Sequence, residues 1–213
     1  MAKTASGRAK QDSERALGET AARAAVIDLA GRCATRGWTP ATAGNFSVRV
    51  DELSVAITRS GADKDALKPE DVLVLPLAGA PPREASAEAP IHWALYNREP
   101  GIGAIAHAHP PATTLLSMLP DARPALRLEG IELLKALPGI TTHETRILVP
   151  VLPNTQDMIG LAARLDWNPA APALILAGHG IYAWGKDAQA AFRHMEALEY
   201  MFDLELKRRQ LVR

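Results

Sequence analysis

His107 and His109 are the residues of this chain whose types and spacing most clearly indicate chemistry. They end a short run of small apolar residues that begins at Ile102, and Pro110 follows them. Side chains of an extended segment alternate between its two faces, so residues two apart point the same way and both imidazoles can reach one point in space. Neutral imidazole is a common ligand of divalent metals such as zinc. A pair of half-exposed histidines at a strand end is the alternative.

A catalytic zinc ion takes three protein ligands and keeps one position open, so these two histidines need a third partner. His179 is the best candidate, because Gly178 and Gly180 allow a sharp turn and a close approach to another element. A histidine that closes a hairpin turn is the alternative. Two of the remaining histidines, His92 and His194, are expected on helices, either at the surface or in the core. His143 is expected in a loop, where it could lie near the metal or the substrate. Iron, cobalt or manganese would also suit an imidazole site.

Two glutamates, Glu88 and Glu132, are candidate general bases. Glu88 directly precedes a predicted helix, where a carboxylate can also cap the helix without any part in catalysis. Glu132 lies in a mostly apolar segment, where burial would raise its pKa toward the value that a base needs. The same side chain could instead face water. The spacing of these residues does not decide, for either glutamate, between a catalytic and a non-catalytic role.

Three stretches of small and polar residues are suited to hold an anion: Gly44-Asn45-Phe46-Ser47, Ser60-Gly61-Ala62-Asp63-Lys64, and Ser86. Backbone N–H groups in such loops, together with hydroxyl and amide side chains, can hold a phosphate group without a fixed charge. Each stretch taken alone is also typical of an ordinary turn.

The composition favours one domain without a nucleic-acid partner. With 213 residues, 47% of them hydrophobic, the chain can bury one well-packed core. The 24 basic and 24 acidic residues cancel, so no basic surface is expected and local groups must hold an anionic substrate. The single cysteine, Cys33, excludes an intrachain disulfide and is expected to be buried. Because the chain has neither an apolar leader nor a membrane-length apolar run, we expect a cytoplasmic protein with no membrane partner.

The elements that must position these residues alternate between helices and short strands. Residues 1–12 are predicted to form a disordered or frayed tail, and residues 13–213 a single domain. Helical spacing predicts a first helix over 13–37 and a last helix after Asp187, a good N-cap. Other helices are expected over 90–98, 111–118, 129–137 and 157–165, and strands over 46–50, 54–58, 72–75, 104–107, 147–151, 173–177 and 181–184. This pattern predicts an α/β layer fold around a largely antiparallel sheet, without a dinucleotide-binding or Walker glycine motif.

Taken together, these motifs resemble the class II aldolase/adducin family over residues 21–206. Five pieces follow one another in the order found in that family: Ala-Gly-Asn-Phe-Ser at 43–47, Ile-Thr-Arg-Ser-Gly at 57–61, Ser-Ala-Glu at 86–88, His-Ala-His at 107–109 and Gly-His-Gly at 178–180. One such piece is weak evidence, whereas five in order are strong. The resemblance implies a three-layer α/β/α fold with a central, mainly antiparallel sheet. It also implies a homotetramer whose metal site lies near a subunit interface.

The resemblance implies roles for the residues singled out above. It implies one zinc ion per subunit on His107, His109 and His179. It implies a substrate phosphate near five residues: Gly44, Asn45, Ser60, Gly61 and Ser86. In the sugar-phosphate aldolases of the family, the acid/base is the carboxylate that matches Glu88, and in its dehydratase it is the carboxylate that matches Glu132. Because this chain has both, the resemblance leaves the choice open.

Four longer motifs resemble the branch of the family that dehydrates 5-methylthioribulose 1-phosphate in methionine salvage: residues 60–64, 128–137, 152–157 and 179–185. Ala87 stands where the aldolases usually have a second serine, which counts against aldol cleavage. The resemblance therefore implies zinc-dependent dehydration of this ketose phosphate to 2,3-diketo-5-methylthiopentyl 1-phosphate. A class II sugar-phosphate aldolase or epimerase is the alternative. A non-catalytic interaction module is the third possibility, although adducin head domains lack the metal ligands that are present here.

Overall fold

A central sheet organises the computed structural model, which describes residues 2–165 and 171–211, with side chains from residue 15 onwards. Its strands are β1 (Asn45–Arg49), β2 (Ser54–Thr58), β3 (Val72–Pro76), β4 (Ala104–Ala108), β5 (Ala125–Glu129), β6 (Arg146–Leu152), β7 (Ala173–Leu176) and β8 (Gly180–Gly185). They lie in the order β3-β2-β1-β4-β8-β7-β6-β5. All neighbouring strands are antiparallel except β6 and β7, which are parallel. The predicted, largely antiparallel sheet is confirmed.

Helices cover both faces of this sheet. Within the described ranges they are α1 (Ala2–Thr35), α2 (Ala89–Arg98), α3 (Pro111–Ser117), α4 (Met158–Ala163) and α5 (Ala188–Leu211), with short 3₁₀ helices at Pro40–Thr42, Pro69–Asp71 and Glu132–Ala136. Alternate residues of β4 belong to different cores: Ala106 packs with α1, α3 and α5, whereas Ile105 packs with α2 and α4. The helices therefore form two layers on opposite sides of the sheet, as a three-layer α/β/α fold requires. No helix in the described ranges combines the length and the apolar character needed to cross a lipid bilayer.

The last helix forms as its sequence predicts. The backbone N–H of Ala190 donates to Oδ1 of Asp187 at 2.7 Å, which is the bond of an N-cap. The apolar stripe of α5 faces the sheet, and its Met195, Leu198 and Phe202 are completely buried. Cys33 of α1 is also buried, as expected, and burial raises the pKa of its thiol to about 12.

The structure differs most from the sequence prediction at two helices, whereas the other predicted boundaries shift by one or two residues at most. Helix α1 begins at Ala2 rather than at residue 13, so helical backbone includes most of the segment that we predicted to be a tail. The division into a tail at 1–12 and one domain at 13–213 stays a prediction. The helix predicted over 129–137 is a 3₁₀ helix over Glu132–Ala136, because Gly130 turns the chain with φ = 68° directly before it.

Strand β5 was missed by the sequence analysis, although its sequence carries the signal of a half-buried strand. Leu126 and Leu128 are buried, whereas Arg127 and Glu129 face water. The strand pairs with β6 and forms one edge of the sheet. Only this pairing separates it from the irregular chain around it.

The register of three neighbouring strands positions the predicted site. Asn45 on β1 lies opposite His107 on β4, and Ile181 on β8 lies opposite Ala108. His107 is therefore enclosed between two antiparallel strands and is completely buried. The turn between β7 and β8, which carries His179, lies next to the end of β4, where His109 follows.

Candidate metal centre

The structure brings His107, His109 and His179 together at the end of β4. The Nε2 atoms of His107 and His109 lie 3.1 Å apart, and one ligand atom from each of the three histidines lies within 4.8 Å of the others. A tetrahedral zinc ion with Zn–N bonds of about 2.1 Å separates its ligand nitrogens by ~3.4 Å. The three imidazoles therefore fit one metal ion of this kind.

Hydrogen bonds to the opposite ring nitrogens aim two of these imidazoles. Nδ1 of His107 donates to the carbonyl oxygen of Ile181 at 3.0 Å, and Nδ1 of His179 donates to Oδ1 of Asn154 at 3.2 Å. Because Nδ1 carries the proton, the lone pair of a neutral ring lies on Nε2, which faces the centre. Outer partners of this kind are typical of histidines that bind metals.

Burial keeps two histidines of this region, His109 and His92, neutral at physiological pH. Burial and the neighbouring imidazoles of His107 and His179 lower the pKa of His109 to about 4. Burial lowers the pKa of His92 to about 3. His92 lies behind the centre, where its Nδ1 is 2.7 Å from Oγ of Ser47, so it is a core residue and not a surface one. A neutral imidazole at position 109 is the form that a metal requires.

Glu88 lies at the same centre, and the four residues His107, His109, His179 and Glu88 are called the His–Glu centre below. Oε1 of Glu88 lies 2.8 Å from Nε2 of His179, and its Oε2 lies 3.1 Å from Nε2 of His107. Glu88 occupies the N-cap position of α2, but its side chain makes no capping hydrogen bond. The interpretation of Glu88 as a helix cap is therefore wrong.

The charge of Glu88 is maintained by its neighbours. Burial alone would raise the pKa of this carboxyl. When a proton rather than a metal occupies Nε2 of His107 and His179, the hydrogen bonds and charge of these two residues outweigh burial and hold the pKa of Glu88 well below its usual range. A metal ion on the same Nε2 atoms would favour the carboxylate for the same electrostatic reason. Nδ2 of the buried Asn45 donates to Oε2 of Glu88 at 2.6 Å and to Oγ of Ser86 at 3.1 Å, which fixes the carboxylate in place.

The three loops that the sequence indicated for an anion meet beside this centre. Asn45 joins the first loop to Ser86, as described. The backbone N–H of Ser60 donates to the carbonyl of Glu84 at 2.9 Å, which joins the second loop to the third. Gly44 packs against β4 with φ = 87°, and a Cβ atom there would lie 2.5 Å from the carbonyl oxygen of His107. Ser60 and Gly61 are exposed, so an anion can reach them from solvent.

Glu132 is not part of the His–Glu centre within one chain. Its side chain is 70% exposed, and the contacts described for it are with Nζ of Lys135 at 2.6 Å and Nδ1 of His143 at 3.4 Å. The hydrogen bond from Lys135 lowers the pKa of Glu132, which is opposite to the shift that burial in an apolar segment would produce. Within a single chain, this glutamate faces water.

Two residues that contact the His–Glu centre had no role in the sequence analysis, although both lie in motifs that carried the resemblance. Asn154 orients His179. Tyr182 stacks on His107, with ring centroids 4.0 Å apart and an interplanar angle of 15°. Both contacts join residues far apart in the sequence, so no local spacing could have indicated them.

Glycine at position 180 is required by the close approach of β8 to β4. A Cβ atom at Gly180 would lie 2.4 Å from the carbonyl oxygen of Ala108 and 2.8 Å from Cδ2 of His109. The first of these atoms belongs to the backbone of β4 and cannot move without shifting the strand that carries His107, and the second belongs to the imidazole ring of His109. The glycines around His179 thus allow the approach that their positions in the sequence predicted.

Gly180→Ala is expected to lower the free energy of unfolding by about 1–3 kcal/mol and to weaken metal binding, because the added methyl group forces β4 and β8 apart. Thermal unfolding and metal titration of the purified variant measure the two effects. Gly31→Ala in α1 is the matched control, since a Cβ atom there meets nothing within 4 Å. Tight metal binding by Gly180→Ala would contradict this account of the approach.

Comparison with known proteins relates most of the chain to one family. The class II aldolase and adducin N-terminal domain matches residues 24–206, a range that includes every residue of the His–Glu centre. The chain is 48% identical over 185 residues to a methylthioribulose-1-phosphate dehydratase from Parvibaculum lavamentivorans, which covers 85% of this chain and 91% of that protein. It is 49% identical over 192 residues to the protein of the same name from Methylococcus capsulatus, covering 87% of this chain and 93% of the relative.

A solved structure is similar over nearly the same length. The crystal structure of L-fuculose-1-phosphate aldolase from Thermus thermophilus superposes with a TM-score of 0.69 at 32% sequence identity. The alignment covers 88% of this chain and 95% of that chain. The fold is therefore shared with an enzyme whose name refers to a sugar phosphate.

Proposed function

Because this chain belongs to the class II aldolase/adducin family, we propose that it dehydrates 5-methylthioribulose 1-phosphate to 2,3-diketo-5-methylthiopentyl 1-phosphate. The observation that carries the proposal is the His–Glu centre, in which the ligand atoms of three histidines lie within 4.8 Å of one another and Glu88 contacts two of these histidines. High identity to two relatives named methylthioribulose-1-phosphate dehydratase supports this choice of reaction. A non-catalytic module would not need three metal ligands that converge on one point.

We further propose that zinc is the resident metal, held by His107, His109 and His179. Zinc bound there would polarise the C2 carbonyl of the substrate and make the proton on C3 more acidic. Asn45, Ser60 and the backbone of Gly61 lie on the loops beside the centre, where they would bind the phosphate at C1. Gly44 and Ser86 complete this set of phosphate-binding residues. The substrate would then span from these loops to the metal.

The reaction needs a group that takes one proton and a group that gives one. A base removes the proton from C3, the bond between C4 and its hydroxyl breaks, and the hydroxyl takes a proton and leaves as water. The remaining enol ketonises to the 2,3-diketone. We propose that Glu132 is the base and that Glu88, which faces two of the histidines, orients the substrate hydroxyl groups and returns the proton.

Glu132 can take this part only from another subunit. In one chain it is exposed and contacts Lys135 and His143 instead of the centre. We therefore propose a homotetramer in which Glu132 of a neighbouring subunit completes each site, with His143 beside it. An exposed carboxylate with no buried partner is consistent with such a position. The proposal includes a cytoplasmic location and a place in methionine salvage.

Aldol cleavage is the second candidate, favoured by the position of Glu88 and by the structural similarity to an L-fuculose-1-phosphate aldolase. Epimerisation by the same centre belongs to this alternative. Ala87 counts against it, because it supplies no hydroxyl group where a second serine would bind phosphate. Dehydration and aldol cleavage would both use a metal to polarise the C2 carbonyl of the substrate. The protein groups near C3 and C4 of the substrate therefore decide which reaction takes place.

A direct assay tests the proposal. Purified protein loaded with zinc is mixed with 5-methylthioribulose 1-phosphate, and the products are followed by mass spectrometry. Loss of one water molecule, stopped by a chelator and restored by zinc, is the expected result. Release of dihydroxyacetone phosphate would establish aldol cleavage instead. An intact substrate in the presence of bound zinc would contradict both reactions for this compound.

The apolar end of the substrate has a matching surface next to the centre. Leu115 and Met118 lie one turn apart on and after α3 and are 46% and 66% exposed. Met118 lies against the turn that carries His179, since its Cγ is 3.4 Å from the position of a Cβ atom on Gly178. We propose that this pair contacts the methylthio group.

Met118→Gln is expected to raise KM for the methylthio substrate roughly three- to thirtyfold, because it replaces an apolar contact by a polar one. The KM for ribulose 1-phosphate, which lacks the methylthio group, should stay nearly constant. Steady-state kinetics with both compounds separate these effects. Leu53→Gln, an exposed leucine between β1 and β2, is the control. Equal changes for both substrates would exclude this contact.

A further inference from the structure

Lys64 is a buried cation that the proposed reaction has not used. Its side chain is 3% exposed, although lysine is almost never fully buried unless its charge has a partner. Its Nζ donates to the carbonyl oxygens of Thr42 at 2.9 Å and Ala62 at 2.6 Å. Among the described residues, no carboxylate forms an ion pair with it. An apolar side chain could fill the same space without the cost of burying a charge.

The two carbonyls that hold Lys64 belong to two different loops of the proposed phosphate site. Thr42 precedes Gly44 and Asn45, and Ala62 directly follows Ser60 and Gly61. The ammonium group therefore joins these two loops. Its two hydrogen bonds connect the Thr42 carbonyl of one loop to the Ala62 carbonyl of the other.

The backbone at one of these loops is held in an uncommon conformation. Ala41 and Thr42 have φ values of 52° and 63°, in the left-handed region that residues with a side chain rarely adopt. Such a conformation persists only where surrounding contacts determine it. The bond from Lys64 to the Thr42 carbonyl is one of these contacts.

The charge of Lys64 also acts on the site. Burial lowers its pKa, and the negative charges of Asp63 and Glu88 partly oppose this change. Glu88 belongs to the His–Glu centre, so the ammonium lies within electrostatic range of that centre. A positive charge in a poorly solvated position attracts an anion more strongly than a surface lysine does.

We propose that Lys64 is a positioning residue of the phosphate site, which holds the loops at 42–45 and 60–62 at the spacing of a phosphate group and supplies the positive charge beneath it. This inference rests on the proposed function, because it assigns the ligand of that site more closely. It also differs from the expectation that these loops bind phosphate without a fixed charge.

Three substitutions of Lys64 separate its charge from its hydrogen bonds. Lys64→Met removes both, Lys64→Gln keeps an N–H donor without the charge, and Lys64→Arg keeps the charge. The zinc-loaded full chain is assayed for kcat and KM, for competitive inhibition by inorganic phosphate, and for metal content. Lys186→Met, at an exposed position near the opposite end of β8, is the matched control.

Lys64→Met and Lys64→Gln are expected to raise KM and the inhibition constant for inorganic phosphate together, by roughly ten- to a hundredfold. The kcat should change much less, the metal content should stay at the wild-type level, and Lys64→Arg should recover part of the phosphate affinity. A purely structural lysine would instead change stability and leave phosphate affinity alone. If Lys64→Met does not fold, the KM and phosphate affinity of Lys64→Gln test the inference.

Wild-type phosphate affinity and KM in both uncharged variants would overturn the inference, as would a loss of kcat alone. This result differs from a failure of the proposed function. In that second case the wild-type protein itself would not release water from the ketose phosphate, whatever its affinity for inorganic phosphate.

Discussion

Changing Glu132 to glutamine is expected to remove most of the turnover and to leave the fold and the metal in place. An amide has nearly the same shape as a carboxylate but cannot take the C3 proton, and loss of a general base typically slows a reaction by about 10²- to 10⁴-fold. Stability should change by less than about 0.5 kcal/mol, because the side chain is exposed. The measurements are kcat, zinc content, and exchange of the C3 proton with deuterium from the solvent.

Proton exchange distinguishes the two candidate bases. Glu132→Gln should lose exchange together with dehydration, if Glu132 is the base. A variant that still exchanges the C3 proton but releases no water would transfer the role of base to Glu88. Glu129→Gln is the matched control, since it changes another exposed glutamate three residues away and outside the proposed site.

Mixed oligomers test whether Glu132 acts from a neighbouring subunit. His107→Ala and Glu132→Gln chains are each expected to be inactive, and the two are unfolded and refolded together. If each site takes its histidines from one subunit and Glu132 from the next, random mixing restores about a quarter of the sites. A mixture as inactive as its components, with tetramers formed, would mean that both residues act within one chain.

His107→Ala and His109→Ala are each expected to lose the metal, which is the second large effect. The two remaining imidazoles rarely hold zinc, and loss of even an outer partner of a ligand costs roughly ten- to a hundredfold in metal affinity. Loss of a direct ligand should therefore lower the metal affinity by more than this factor. Metal analysis after dialysis and titration with a competing chelator measure the loss, and activity should fall in parallel.

The control for metal content is His143→Ala. This histidine is about half exposed and lies beside Glu132 rather than in the His–Glu centre, so the variant should keep its full metal content. A His109→Ala protein that stays fully loaded with zinc would contradict the proposed site. Unfolding of the variants is measured separately, because His107 is completely buried and its removal leaves a cavity.

The sequence by itself determined the features that depend on local order. The period of two along 105–109 predicted that His107 and His109 point the same way, and the structure brings their Nε2 atoms to 3.1 Å. The boundaries of β2 agree with the prediction at both ends. The cap at Asp187 and the apolar stripe of α5 are also as predicted. Such features follow from side-chain direction and backbone hydrogen bonds within a few residues.

The tertiary structure alone decided which distant residues meet. Glu88 looked equally suitable as a helix cap or as a base, and only the pairing of β1 with β4 and β8 brings it to His107 and His179. Glu132, in its apolar segment, looked equally suitable as a base, yet its side chain is exposed to water in the fold of one chain. The strand order and register set these contacts, and both depend on how two cores pack around the whole sheet. The spacing of residues along the chain does not indicate that packing. The sequence could therefore suggest which residues form the centre, but it could not show which of them are in contact.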